Sequence, residues 1–281
     1  MILITGVSGF LGSNLNNYLR NKEKKVMGVS RSPKNIEVDY NKIDRTLLNS
    51  VSCFIHLAGK AHDFRKTSDP EGYYTANTEL TKKLFNQFLD SDCEVFIYMS
   101  SVKAVADKPT VILTETELPI PKTHYGKSKL LSENYILSKK LPLNKRVYIL
   151  RPCMIHGKGN KGNLNILYKV VSKRIPWILG AFNNKRSYCS IENLLFIINE
   201  IIDNQHIPNG IYNVADDQSL STNDIVALIA DSQSKKPVIW DIPMTLIKII
   251  AKIGDYLPLP LNSERLAKLT ESYEVSNKKI R

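Results

Sequence analysis

Ile2-Leu3-Ile4-Thr5-Gly6-Val7-Ser8-Gly9-Phe10-Leu11-Gly12 decides the fold. A short apolar run enters a loop with glycines at 6, 9 and 12, and a helical pattern over 10–20 follows. Apolar residues without alternation predict a strand buried on both faces. Gly6 permits a tight turn, Gly9 lets the backbone approach a pyrophosphate, and Gly12 lets the helix pack close on the strand. Phe10 and Leu11 open the helix, whose free N–H groups and positive dipole end favour phosphate. A glycine pattern alone is a weak signal. Its place between a strand and a helix gives it meaning.

The same alternation continues outward. Apolar runs at 25–30, 53–57, 94–100 and 146–150 read as strands. Helical spacing covers 69–89 and 125–137, with Asp69-Pro70 as an N-cap followed by proline at the first helical position. Buried strands alternating with helices predict an α/β fold, a doubly wound parallel sheet of the Rossmann type. Beyond Gly157-Lys158-Gly159-Asn160-Lys161-Gly162 the elements shorten. Helices are expected near 163–173, 191–203, 222–232 and 244–253, and strands near 186–190 and 210–215. The expected division is a dinucleotide-binding domain over 1–157 and a smaller, mainly substrate-binding α/β lobe over 158–281. Some segments of the second part, such as 210–215, are compatible with a return to the main sheet.

Composition sets outer limits. With 281 residues, 43% hydrophobic and 23% charged, the chain has an ordinary globular balance. No apolar run reaches the roughly 20 residues that span a bilayer, so stable membrane insertion is not expected, and a cytoplasmic location is. The formal charge of +12 comes from scattered lysines, without a basic stripe interleaved with aromatics, which disfavours nucleic acid as a partner. The apolar segment 244–253, with lysines at 248 and 252, reads as a packed lobe helix or as a surface for a membrane or partner. Cys53, Cys93, Cys153 and Cys189 are widely spaced and form no metal-ligand pattern, so no metal site and no disulfide framework is expected.

The second strand ends at Ser30-Arg31 with no acid before Glu37. An acid there would bind a ribose 2′-hydroxyl, whereas Arg31, helped by Ser30 or Lys34, suits a 2′-phosphate. This favours NADP over NAD. Asp39 and Tyr40 are candidates to lie beside the adenine. Leu57-Ala58-Gly59 ends the third strand at the height of a dinucleotide, and Asn77 reads as a tie between a loop and the following helix. His56, His62 and His156 read as packing or loop residues.

Tyr125 and Lys129 stand one helical turn apart and so share a face. An ammonium beside the phenol is expected to lower its pKa from about 10, tuning it for proton transfer at an alcohol or ketone. Ser101, preferred over Ser100, follows a strand at the carboxyl edge of the sheet, where a hydroxyl can orient a substrate oxygen.

Taken in order, TGVSGFLG, HLAG, SSV, YGKSK and RPCMIHG resemble the extended short-chain dehydrogenase/reductase superfamily, in its sugar-nucleotide epimerase/dehydratase branch. The resemblance implies catalytic roles for Ser101, Tyr125 and Lys129, with Lys129 also bonding the nicotinamide ribose. It further implies substrate contacts from Ser101 and Val102, from Asn163 and Leu164 at the nucleotide diphosphate, and from Arg186 as a diphosphate-binding arginine. Dehydratases of this family carry two acids after the catalytic hydroxyl. Val102 and Lys103 stand there, which disfavours dehydration. Relatives normally continue beyond the segment at which this chain stops. SSVKAV, RPCMIHG and KRIPWI…NNKRSY resemble bacterial 4-keto reductases and epimerases of UDP-linked N-acetylated 6-deoxy sugars for capsule or O-antigen. The expected activity is therefore an NADP-dependent reductase of a UDP-4-keto-6-deoxy-N-acetylhexosamine. A 4-epimerase retaining NAD, and a non-catalytic NADP-binding protein, are the alternatives. A homodimer is left open.

Overall fold

The computed structural model describes residues 1–30, 40–61, 69–160, 163–257 and 261–281. Arg31, Lys34, Asp39 and His62 lie outside the described residues, as does the side chain of Asn163.

The elements run β1 (Ile2–Thr5), α1 (Phe10–Asn21), β2 (Val26–Val29), α2 (Arg45–Leu48), β3 (Cys53–His56), α3 (Pro70–Tyr73), α4 (Leu80–Leu89), β4 (Val95–Met99), α5 (His124–Leu137) and β5 (Arg146–Pro152). There follow β6 (Met154–His156), α6 (Asn163–Ser172), β7 (Arg186–Ser190), α7 (Ile191–Asp203), β8 (Gly210–Val214), β9 (Ser219–Leu220), α8 (Thr222–Asp231), α9 (Met244–Tyr256) and α10 (Ser263–Thr270).

Six strands form one parallel sheet in the order β2-β1-β3-β4-β5-β8. This is a Rossmann-type doubly wound sheet. Period-two alternation explains its two cores. Ile2, Ile4, Cys53, Ile55, Val95 and Ile97 face Leu15 and Leu19 of α1 and Leu194, Ile198 and Ile201 of α7. Leu3, Phe54, Phe96 and Tyr98 face the other way, onto Leu84, Phe85 and Phe88 of α4 and Ile136 of α5. Both faces are covered, so the strands need no polar side. The chain reverses its direction across the sheet between β1 and β3, the switch point where such folds bind ligands. At Gly12 a Cβ would come within 2.2 Å of the Gly6 carbonyl oxygen, so only glycine lets α1 start this close to the loop.

A second sheet pairs β6 with β7 in parallel and β7 with β9 antiparallel. Beside it, α6, α8, α9 and α10 bury Leu167, Val171, Trp177, Val226, Ile247, Ala251 and Leu266 in a separate core. α7 and β8 belong to the main sheet's layers, although they lie in the second half of the chain. The strand at 146–150 extends two residues further, to Pro152. The helical spacing over 69–89 resolves into α3, a π-helical turn at Tyr74–Glu79, and α4. Among the described residues no helix is long and apolar enough to cross a membrane. All four cysteines are free, and three of them are buried.

Candidate active site

Ser101 leaves the carboxyl end of β4 and caps a short helical turn at Val102–Ala104 by accepting the Lys103 N–H at 3.2 Å. α5 begins opposite, its first turn capped by the Thr123 hydroxyl on Gly126 N. A Cβ on Gly126 would fall 2.4 Å from the Lys103 carbonyl oxygen. The glycine inside Tyr-Gly-Lys-Ser-Lys therefore lets α5 press against the serine loop. The result sets the Ser101 hydroxyl beside the Tyr125 phenol, close enough to oppose a rise in the phenol's pKa. One edge of the Tyr125 ring meets Tyr73, with centroids 6.3 Å apart.

Lys129 lies beneath, one turn along α5. Its ammonium is buried, donates to the Met99 carbonyl at 2.8 Å, and stands 4.9 Å from the centre of the Tyr98 ring. Burial lowers its pKa from 10.5 to about 8, against the opposing pull of the Glu133 carboxylate. The expectation that this ammonium makes the phenol acidic does not hold. Burial pushes the Tyr125 pKa up from 10, and the group opposing that rise is the Ser101 hydroxyl. Desolvation of the buried phenol is the largest cause. Tyr125 is accordingly a neutral phenol at pH 7 in this state.

A buried network that the sequence reading missed supports the lysine. Glu133, one turn further along α5, accepts from the Ser100 hydroxyl and from Nε and Nη2 of Arg151 on β5. Both side chains of the ion pair are at most 3% exposed. A signal was available. A glutamate four residues from a buried lysine shares its face, and an arginine inside an apolar strand needs a buried partner. Asn77 ties the neighbouring loop down. It bonds the Lys60 N–H and carbonyl and the Ser128 hydroxyl, from a π-helical turn.

The glycine loop faces this group across the switch point. Gly9 is the N-cap of α1 and offers no side chain to its first turn, so those amides are left for an anion. Tyr40 places its hydroxyl on Gly6 N at 3.2 Å, beside the loop. Ser30 is buried with its hydroxyl 2.6 Å from that of Ser8. Leu57 and Ala58 continue β3 past His56, Ala58 N donating to the Thr5 hydroxyl. His56 is held between the Thr5 and Thr81 hydroxyls, and burial lowers its pKa to about 3. It is a neutral packing residue. Uncapped amides on one side and a buried ammonium on the other are a donor set suited to a nicotinamide dinucleotide.

The remaining candidates are more scattered. The Val102 side chain is buried with Val105, Leu113, Ala215 and Val275, so only its backbone is left to meet a ligand. Arg186, at the start of β7, donates through Nε to the Glu271 carbonyl at 2.8 Å and lies close enough to Lys103 for their charges to repel. Leu164 lines a cavity of about 270 Å³ with His156, Tyr168 and Ile225, while Asn163 opens α6. None of the three catalytic candidates borders that cavity.

The sequence profile of the NAD dependent epimerase/dehydratase family matches residues 2–215. The chain belongs to that family. It is 29% identical over 273 residues to a UDP-glucose 4-epimerase of Vibrio cholerae, covering 90% of this chain and 81% of that one. It is 25% identical over 290 residues to an N-acetyl-α-D-glucosaminyl-diphospho-ditrans,octacis-undecaprenol 4-epimerase of Escherichia coli O157:H7, covering 100% of this chain and 84% of that one. Among solved structures, a UDP-N-acetylglucosamine 4-epimerase from Bacillus cereus superposes with a TM-score of 0.72 at 23% identity, over 85% of this chain and 83% of that one. The protein is thus an enzyme of the extended short-chain dehydrogenase type, with a nicotinamide cofactor, in a family whose relatives named here are 4-epimerases of sugar nucleotides and a lipid-linked sugar.

Proposed function

We propose that this enzyme moves a hydride between a nicotinamide and C4 of a UDP-linked N-acetylated 6-deoxyhexosamine, in the direction that reduces a 4-keto group, in the cytoplasm, for capsule or O-antigen. The carrying observation is the Ser101–Tyr125 hydroxyl pair standing one turn above buried Lys129. The nicotinamide supplies the hydride. Tyr125, neutral at pH 7, gives its proton to the oxygen at C4. Ser101 orients that oxygen. Lys129 holds positive charge beneath the phenol and offers donors to a ribose. Lys103 stands where a dehydratase would need an acid, which speaks against water elimination. Ser30 and Arg31, with no acid before Glu37, support NADP. Arg186 and the Asn163-Leu164 pair are assigned to the diphosphate, where a guanidinium fork suits phosphate oxygens.

A second reading, a 4-epimerase that keeps NAD and returns the hydride, is favoured by the names of the relatives that span most of the chain. One experiment separates the two. Fresh protein is denatured and assayed for released dinucleotide, and native protein is given NADPH or NADH with UDP- and dTDP-linked 4-keto sugars. NADPH oxidation without released NAD supports the reductase. Stoichiometric released NAD with interconversion of UDP-sugars supports the epimerase. Neither activity with any sugar overturns both.

A further inference from the structure

α9 packs on the lobe through Ile247, Ala251 and Gly254. Its opposite face is apolar too. Leu246, Ile249, Ile253 and Tyr256, spaced by three and four residues, form one stripe, with Ile249 50% and Tyr256 91% exposed. Trp240, 53% exposed, precedes the helix. A helix inside a lobe normally buries one face and wets the other, and a run of large exposed apolar side chains marks a contact surface. Lysines outnumber acids beside it. Lys248 and Lys252 are exposed and border the stripe on the helical wheel. Residues 235–257 carry four lysines against two aspartates. One of those, Asp255, is turned to the N–H and hydroxyl of Ser263.

We propose that α9 and Trp240 dock the protein on an anionic membrane surface. An apolar stripe bordered along one edge by lysines, with a tryptophan and a tyrosine near its two ends, matches a helix lying in the plane of an interface. Thirteen residues are too few to span, so the contact is peripheral. A second copy fits less well. A two-fold contact would bring the lysine border of one protomer toward its own image, adding like charges to a chain with a net charge of +12. Anionic headgroups neutralise them instead.

The test is co-sedimentation of the full chain with vesicles of phosphatidylglycerol mixed with phosphatidylcholine, and with phosphatidylcholine alone. Binding is expected to the first and to be much weaker to the second. The pair Lys248→Gln and Lys252→Gln is expected to weaken binding roughly 30-fold, since each lysine near an anionic surface contributes about fivefold. Ile249→Ser with Ile253→Ser is expected to lower it by at least ~tenfold. Both variants keep turnover on soluble UDP-sugar, which shows that they are folded. Wild-type protein left in the supernatant with both vesicles would overturn the proposal. So would variants that bind as well as wild type. A dimer in analytical ultracentrifugation that the isoleucine changes dissolve would reassign the stripe to a second copy.

Discussion

Helix α5 turns Ser128, Lys129, Ser132 and Glu133 inward, whereas helix α9 turns Leu246, Ile249 and Ile253 outward. The two have nearly the same length and break the rule of amphipathic burial in opposite senses. On α5 every inward polar group has a partner. Ser128 meets Asn77, Ser132 meets the Asn77 carbonyl, Lys129 meets Met99, and Glu133 meets Ser100 and Arg151. Such burial is tolerated because each lost water is replaced. On α9 nothing within the described residues covers the stripe. The contrast separates a helix shaped by internal chemistry from one shaped by something outside the fold.

The strongest way to break that account is at the head of α5. Tyr125→Phe is expected to lower turnover by about 100- to 10,000-fold, the usual worth of a positioned proton donor. The thermal midpoint should barely move, because the phenyl ring and its contact with Tyr73 are kept. Full turnover in steady-state assays would leave α5 with a structural role only.

The next effect lies deeper in the same helix. Glu133→Leu strands the Arg151 charge between β5 and α5 and is expected to cost about 3–5 kcal/mol in urea unfolding. Adding Arg151→Met should recover most of that loss, because a buried pair is replaced by apolar volume. A double variant as unstable as the single one would show that the pair does more than satisfy itself.

The pH profile sharpens the point. Lys129 has its pKa lowered to about 8, so its charge is complete below that pH and is lost as pH rises through it. Tyr125 lies higher, and His56 is already neutral, so neither sets the first alkaline limb. Turnover is expected to fall above about pH 8, approaching tenfold per unit. Glu133→Gln removes the carboxylate that supports the ammonium, so the limb should move to lower pH. A limb that stays in place would mean that the lysine charge does not govern the rate.

These features differ in how readily the sequence discloses them. β1, β3 and β4 are plain apolar runs, and burial on both faces leaves little else for them to be. Tyr125, Lys129 and Ser101 are legible because a helical turn and a strand end are local. The Ser100–Glu133–Arg151 network is not, since its members stand 33 and 18 residues apart and a glutamate on a helix ordinarily reads as solvated. The π-helical turn at Tyr74–Glu79 is hidden inside an unbroken helical spacing, and its residue Asn77 is defined by partners from two other segments. The pairing of Tyr273 with Lys185 and Ser187, and of Leu113 with Glu274 and Ser276, is equally invisible. No local pattern announces that a late segment runs between the serine loop and β7.

The smallest expected effect is on α9, and it decides what kind of helix this is. Ile249→Ser and Ile253→Ser remove side chains that folding leaves about half exposed, so each should change unfolding free energy by no more than about 1 kcal/mol in vesicle-free buffer. Ile247→Ala, on the opposite face of the same helix, opens a hole in the lobe core and should cost about 2–5 kcal/mol. A hydrophobic residue therefore has two meanings within three positions, and only burial tells them apart. If the outward isoleucines prove as costly as Ile247, the stripe is part of the lobe's own packing, and α9 joins α5 as a helix explained from within.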